Sequence, residues 1–103
     1  MMLKIFRILG ESLHPEYRHN DFVLVVTPAL FPRIRPGDAV VFQHVRYGLM
    51  IKKVGRLLPE SGEVFVRGNG PYSIDSRSFG SIRKQDIVGK VVFHFRGSGE
   101  GLP

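Results

Sequence analysis

Two kinds of side chain are placed where they could carry acyl-transfer chemistry. Ser12 lies in Gly10-Glu11-Ser12-Leu13-His14-Pro15, at the end of the first apolar run. A lysine pair lies inside the apolar string Met50-Ile51-Lys52-Lys53-Val54. A serine hydroxyl is a weak nucleophile until a neighbouring base takes its proton. A lysine can be that base only when neutral, so its ordinary pKa of ~10.4 must fall toward ~7–8. Burial among apolar side chains acts in that direction because it disfavours the charged form. A fall of about 3 units corresponds to roughly 4 kcal/mol, which a one-core domain tolerates at one site but not at many. In an extended strand Met50, Lys52 and Val54 share one face, and Leu49, Ile51, Lys53 and Gly55 the other. Whichever face turns inward takes a lysine with it, an unusual place for an ammonium group.

The elements that must position these residues read as strands and turns. Short β-branched and aromatic runs at 3–9, 22–27, 39–45, 49–58, 64–67 and 87–95 are separated by Gly, Pro, Asn and Asp. Pro28, Pro32 and Pro36 keep the second connection out of any central strand. Arg35-Pro36-Gly37-Asp38 is a turn, and Pro59-Glu60-Ser61-Gly62 joins a hairpin. Residues 68–80 form a long polar connection, and 81–85 have room for one helical turn. Val23 and Val25 are apolar, as are Phe22, Leu24 and Val26, so that strand is covered on both sides. The expectation is an all-β domain of small coiled antiparallel sheets, packed as a compact barrel or sandwich.

Length and composition bound the rest. The 103 residues make one domain, expected over 1–96, with 97–103 as a flexible tail. An apolar fraction of 43% is too high for a disordered chain. A net charge of +6 permits an anionic partner without demanding one. The absence of cysteine excludes a disulfide framework, a thiol nucleophile and a cysteine-ligated zinc. His14, His19, His44 and His94 lack ligand spacing, and Gly68-Asn69-Gly70 is not a phosphate loop, so neither metal nor cofactor is expected. No run approaches the ~18 apolar residues of a spanning helix, and none reads as a signal peptide. A soluble, cytoplasmic protein is therefore expected. The apolar Ala29-Leu30-Phe31 is the candidate contact for a peripheral membrane surface or for a homodimer.

Taken in order, four segments resemble the signal peptidase I family and its relatives among the Ser-Lys peptidases, which include the self-cleaving SOS-response repressors. They are the Ser12 box, Arg35-Pro36-Gly37-Asp38-Ala39-Val40-Val41-Phe42, the Lys52 strand, and the stretch from Gly68 through Ser73-Ile74-Asp75-Ser76-Arg77 to Gly80, followed by Ile87-Val88-Gly89-Lys90-Val91. The resemblance implies the catalytic-domain fold of that superfamily, with Ser12 as nucleophile and Lys52 as general base. It further implies that Ser73 orients the lysine and that Asp75 and Arg77 brace the loop as an ion pair. The Ser12 N–H would face the oxyanion. Gly10 stands where some relatives place a second, hydroxyl donor, so that donor would come from backbone or water. The chain departs from the pattern at Gly68-Asn69-Gly70, where relatives read Gly-Asp-Asn, and at Leu13 and His14.

The implied activity is cleavage of an extended polypeptide after small side chains, in precursor processing or maturation. The short, anchorless form is similar to maturation peptidases such as those described for nickel-containing superoxide dismutase. Two alternatives stand beside it. One is a catalytically silent domain of the same fold that binds a peptide strand. The other is a small basic β-barrel that binds nucleic acid through Arg33, Arg35, Arg46, Lys53, Arg56, Arg67, Arg83 and Lys84. Bases and aromatics do not interleave in a nucleic-acid motif, so no nucleic-acid partner is expected.

Overall fold

The β-branched runs form strands that meet in one seven-stranded, wholly antiparallel sheet. The computed structural model describes residues 3–27 and 33–97. The strands are β1 (Leu3–Arg7), β2 (Phe22–Val26), β3 (Ala39–His44), β4 (Gly48–Leu58), β5 (Glu63–Arg67), β6 (Ile82–Arg83) and β7 (Ile87–Phe95). They lie in the order β1-β2-β7-β3-β4-β5-β6. A four-residue helix, α1 (Ser76–Phe79), and a 3-10 turn at Lys84–Asp86 complete the fold.

All-β architecture is what the sequence pattern requires, but the arrangement differs from packed sheets closing as a barrel. The sheet is single and open, with β1 and β6 as its two edges. It bends at irregularities where β7 pairs with β2 and with β3, and again between β4 and β5. Each extra residue at such a point kinks the strand and increases its twist. The helical turn expected at 81–85 forms at the end of that stretch, as the 3-10 turn Lys84–Asp86, while Ile82–Arg83 before it pair with β5 as a strand; α1, inside the 68–80 connection, is an additional element. The turns at 35–38 and 59–62 form as expected, the first closed by Asp38 N–H on the Arg35 carbonyl at 3.1 Å and the second by Gly62 N–H on the Leu58 carbonyl at 2.8 Å.

Bending gives both faces of the central strand something to pack against. Val40 and Phe42 of β3 join Val54, Val64, Val66, Ile82 and Ile87 in one cluster. Val41, between them, faces the other way into a second cluster with Ile8, Val23 and Val25. Gly97, assigned to the tail by the sequence, is tied back by its N–H to the Asp21 carboxylate at 3.1 Å. Ala29-Leu30-Phe31 and the rest of the tail lie outside the described residues. Among the described residues no helix is long and apolar enough to cross a membrane.

Candidate active site

The register of β3 on β4 decides which lysine turns inward. Lys52 stands opposite Val40 and Lys53 opposite Ala39. Directly opposed residues share a face, so Lys52 falls on the side of Val40, Met50 and Val54. It is only 3% exposed. Lys53 turns to the other side and forms an ion pair with Glu16. Burial pulls the Lys52 amine below the ordinary lysine range; the nearby Asp75 charge opposes that effect and the Arg77 charge adds to it. Lys52 has no hydrogen-bond partner among the described residues.

Ser12 sits, half-buried, in the turn that leaves β1. Gly10 makes the exit with φ +89°, a backbone region that favours glycine. Its N–H donates to His19 Nδ1 at 2.8 Å, so it is not free to serve as an oxyanion donor. The Ser12 N–H donates to no described residue and remains free for that task. The Ser12 hydroxyl points at the carbonyl of Ile51, the residue just before Lys52, at a long 3.5 Å. Serine and lysine are thus neighbours through the β4 backbone, without a direct hydrogen bond between them. Catalytic contacts are often loose before substrate arrives.

A second loop clamps the serine turn from behind. Asn69 N–H donates to the Ser12 carbonyl at 2.7 Å. The Asn69 side chain donates to the carbonyls of Leu13 at 2.9 Å and His14 at 3.3 Å. Gly68 lies so close that an added Cβ would sit 2.6 Å from the Ser73 side chain and 2.9 Å from the Ser12 carbonyl oxygen. Only glycine fits there. Sequence reasoning noted Gly68-Asn69-Gly70 as a departure from a motif and missed that it holds the Ser12 turn. An Asn between two glycines was the available signal.

That loop is pinned in turn by Asp75, which is fully buried. Its carboxylate accepts from Gly68 N–H at 2.7 Å and from the Arg77 backbone and guanidinium, and Arg77 also donates to the Gly70 carbonyl at 2.8 Å. Burial alone would raise the Asp75 pKa, but hydrogen bonds from Arg77 and Gly68 outweigh it and lower it to about 2. The expected Asp75–Arg77 ion pair is therefore present, at 2.7 Å. Ser73 Oγ accepts from Gly70 N–H at 3.2 Å. It makes no hydrogen bond to Lys52, so the expected orienting contact is absent.

Ser12 and Lys52 open on a groove of about 580 Å³. One wall is the end of β1 and its turn, the other the start of β4, with Val23 and Val41 between them. Both walls offer unpaired backbone. Among the described residues β1 pairs only with β2, and β5 joins β4 only from Lys53 onward. Leu9 and Leu49 on the walls remain more than half exposed. Such a groove suits an extended chain that hydrogen-bonds to a strand edge and places apolar side chains between the walls. No protein-family model and no curated protein matches this chain.

Proposed function

We propose that this chain is a serine endopeptidase with a Ser12–Lys52 dyad, of the signal-peptidase-like kind, acting on an extended polypeptide. One observation carries the reading: a lysine 3% exposed on a core face, beside the strand carbonyl to which Ser12, at the groove, points its hydroxyl. The substrate would lie in the groove as an added strand, with a small side chain at the scissile bond as the resemblance implies.

In the reaction, neutral Lys52 takes the Ser12 hydroxyl proton while Oγ adds to the scissile carbonyl. The Ser12 N–H donates to the resulting oxyanion. Collapse breaks the C–N bond, and the Lys52 ammonium returns the proton to the leaving amine, leaving an ester on Ser12. Lys52 then activates water against that ester, which releases the acid and restores the hydroxyl. Asp75, Arg77 and Asn69 keep the serine turn in register with β4 and do not touch the reacting atoms.

Acylation by a penem-type reagent, read by intact mass, tests the dyad with little demand on substrate identity. One adduct per chain is expected on the native protein and none on Ser12→Ala or Lys52→Met. The labelling rate should rise with pH and level off below the ordinary lysine range. An adduct that survives either substitution would overturn the dyad. No adduct from neutral to strongly alkaline pH would leave a peptide-binding groove without catalysis.

A further inference from the structure

The chain from Ile8 to Asp21 leaves the sheet and returns to it as one compact loop, with Ser12 near its start. Two backbone hydrogen bonds close the neck: the Ile8 N–H on the Asp21 carbonyl and the Asn20 N–H on the Ile8 carbonyl, both at 2.7 Å. Two residues further along, a side chain takes over, and the Gly10 N–H donates to His19 Nδ1 at 2.8 Å. Gly10 lies two residues before Ser12, so this bond fixes the peptide plane from which the Ser12 turn departs. Beyond Ser12 the same turn is held by Asn69.

The bond sets the chemical state of the ring. A backbone N–H can only donate, so His19 must present an unprotonated Nδ1 and carry its proton on Nε2. A protonated imidazole is a donor at both nitrogens. Two N–H groups would then face each other, and the clamp is lost. The charges around the loop are otherwise engaged or exposed. Glu16 pairs with Lys53, and Asp21 pairs with His94 and Arg96 of the β7 end. Arg18, whose N–H is bound to Asp21, is exposed, as are Glu11 in the turn and Arg7 at the end of β1. Among the described residues none of these groups hydrogen-bonds to the His19 ring.

We propose that neutral His19 is a positioning residue for Ser12: its Nδ1 holds Gly10, and with it the Ser12 N–H and hydroxyl, in line with β4, and acid releases the turn. The inference rests on the Ser-Lys reading of the groove for its effect on rate, whereas the clamp itself is observable without catalysis. Two proton-dependent events are then separate. Lys52 must lose a proton to act as base, and His19 must not gain one.

Heteronuclear NMR tests the clamp. The His19 ring should show the Nε2–H tautomer, and the Gly10 and Ser12 amides should shift together with the ring nitrogens from about pH 8 to about pH 5. His19→Asn puts an oxygen at the same remove from Cα as Nδ1, and it accepts at any pH. In that variant the linked shift should vanish, whereas His14→Gln should keep it. Acylation by the penem-type reagent tests the consequence. His19→Leu should be slower than the native protein by about tenfold at neutral pH, and His19→Asn should restore the rate to within about twofold. The ratio of native to His19→Asn rates, in which Lys52 cancels, should fall about tenfold from about pH 8 to about pH 5. An Nδ1–H tautomer, or amides that do not follow the ring, would overturn the proposal. So would a flat ratio, or faster acylation by His19→Leu, since a freed Gly10 N–H would then be serving the oxyanion. Absence of acylation in every variant would refute the dyad, and the amide shifts would then decide the clamp by themselves.

Discussion

Phe42 and Phe93 lie on the same side of one sheet, the first fully buried and the second 61% exposed. Around Phe42 the bent half β3-β4-β5-β6 folds over itself, and Phe79 of α1 covers the ring at a centroid distance of 6.3 Å. Around Phe93 the half β1-β2-β7 carries an equally apolar row and has no second layer among the described residues. Composition is therefore not what separates core from surface here; the bend and the short helix are. The same bend creates the groove, because it brings the free edge of β1 toward the free start of β4.

The largest predicted contrast follows directly. Phe42→Ala should cost about 3–5 kcal/mol of unfolding free energy, since it empties a packed site. Phe93→Ala should change stability by less than about 1 kcal/mol. Denaturant titration of both variants measures the difference. Similar costs would mean that the outer face is covered after all, and the comparison between halves would fail.

Each half also anchors a loop on one buried carboxylate, Asp75 in the first and Asp21 in the second. Burial alone would raise the Asp21 pKa, but hydrogen bonds from His94, Arg18 and Gly97 lower it to about 2, as happens at Asp75. A carboxyl held below its unfolded value of 3.8 contributes stability that is present above that value and lost as pH falls through about 2. Thermal unfolding between those limits should show a steep loss in the native protein and a shallower one in Asp75→Asn and in Asp21→Asn. Asp75→Asn should cost about 3 kcal/mol near neutral pH, because it leaves Arg77 and Gly68 N–H with a weakened acceptor. It should also loosen the Ser12 turn and slow acylation, which Asp21→Asn should not do. Equal slowing by both would place the site under the control of the whole fold and not of one loop.

Much of this was legible in the residues. Alternating and continuous β-branched runs gave the strands, and Gly and Pro gave the turns, because those signals are local. Parity within 50–54 foretold that one lysine turns inward, but only the register on β3, a contact across the chain, distinguishes Lys52 from Lys53. The open sheet escaped notice for the same reason, since bending at irregular pairings leaves no mark in hydrophobic period. Helix α1 was not legible because its cap, Asp75, reads as a loop residue; its side chain accepts the Arg77 N–H that starts α1. Asp21 drew no attention, being an isolated acid whose partner His94 is 73 residues away.

The smallest expected effect bears most directly on the site. The Lys52 amine is desolvated opposite Val40 and flanked on its own face by Met50 and Val54, so folding lowers its pKa from 10.5. Between that lowered value and 10.5 the unfolded chain holds the proton more tightly than the native one, and stability must rise with pH across the window. At neutral pH the native state bears the whole disadvantage of either carrying a buried charge or giving up its proton. Methionine has similar length and no charge, and suits an irregular apolar site. Lys52→Met should therefore gain about 1 kcal/mol at neutral pH and remove the alkaline rise in stability. The matched change at Lys53, which pairs with Glu16 near the surface, should move stability by less than about 0.5 kcal/mol. Guanidinium unfolding of the two variants across neutral to alkaline pH separates these outcomes. A loss of stability in Lys52→Met would show that the fold relies on the ammonium charge, and a lysine held in that form could not be the base that Ser12 needs.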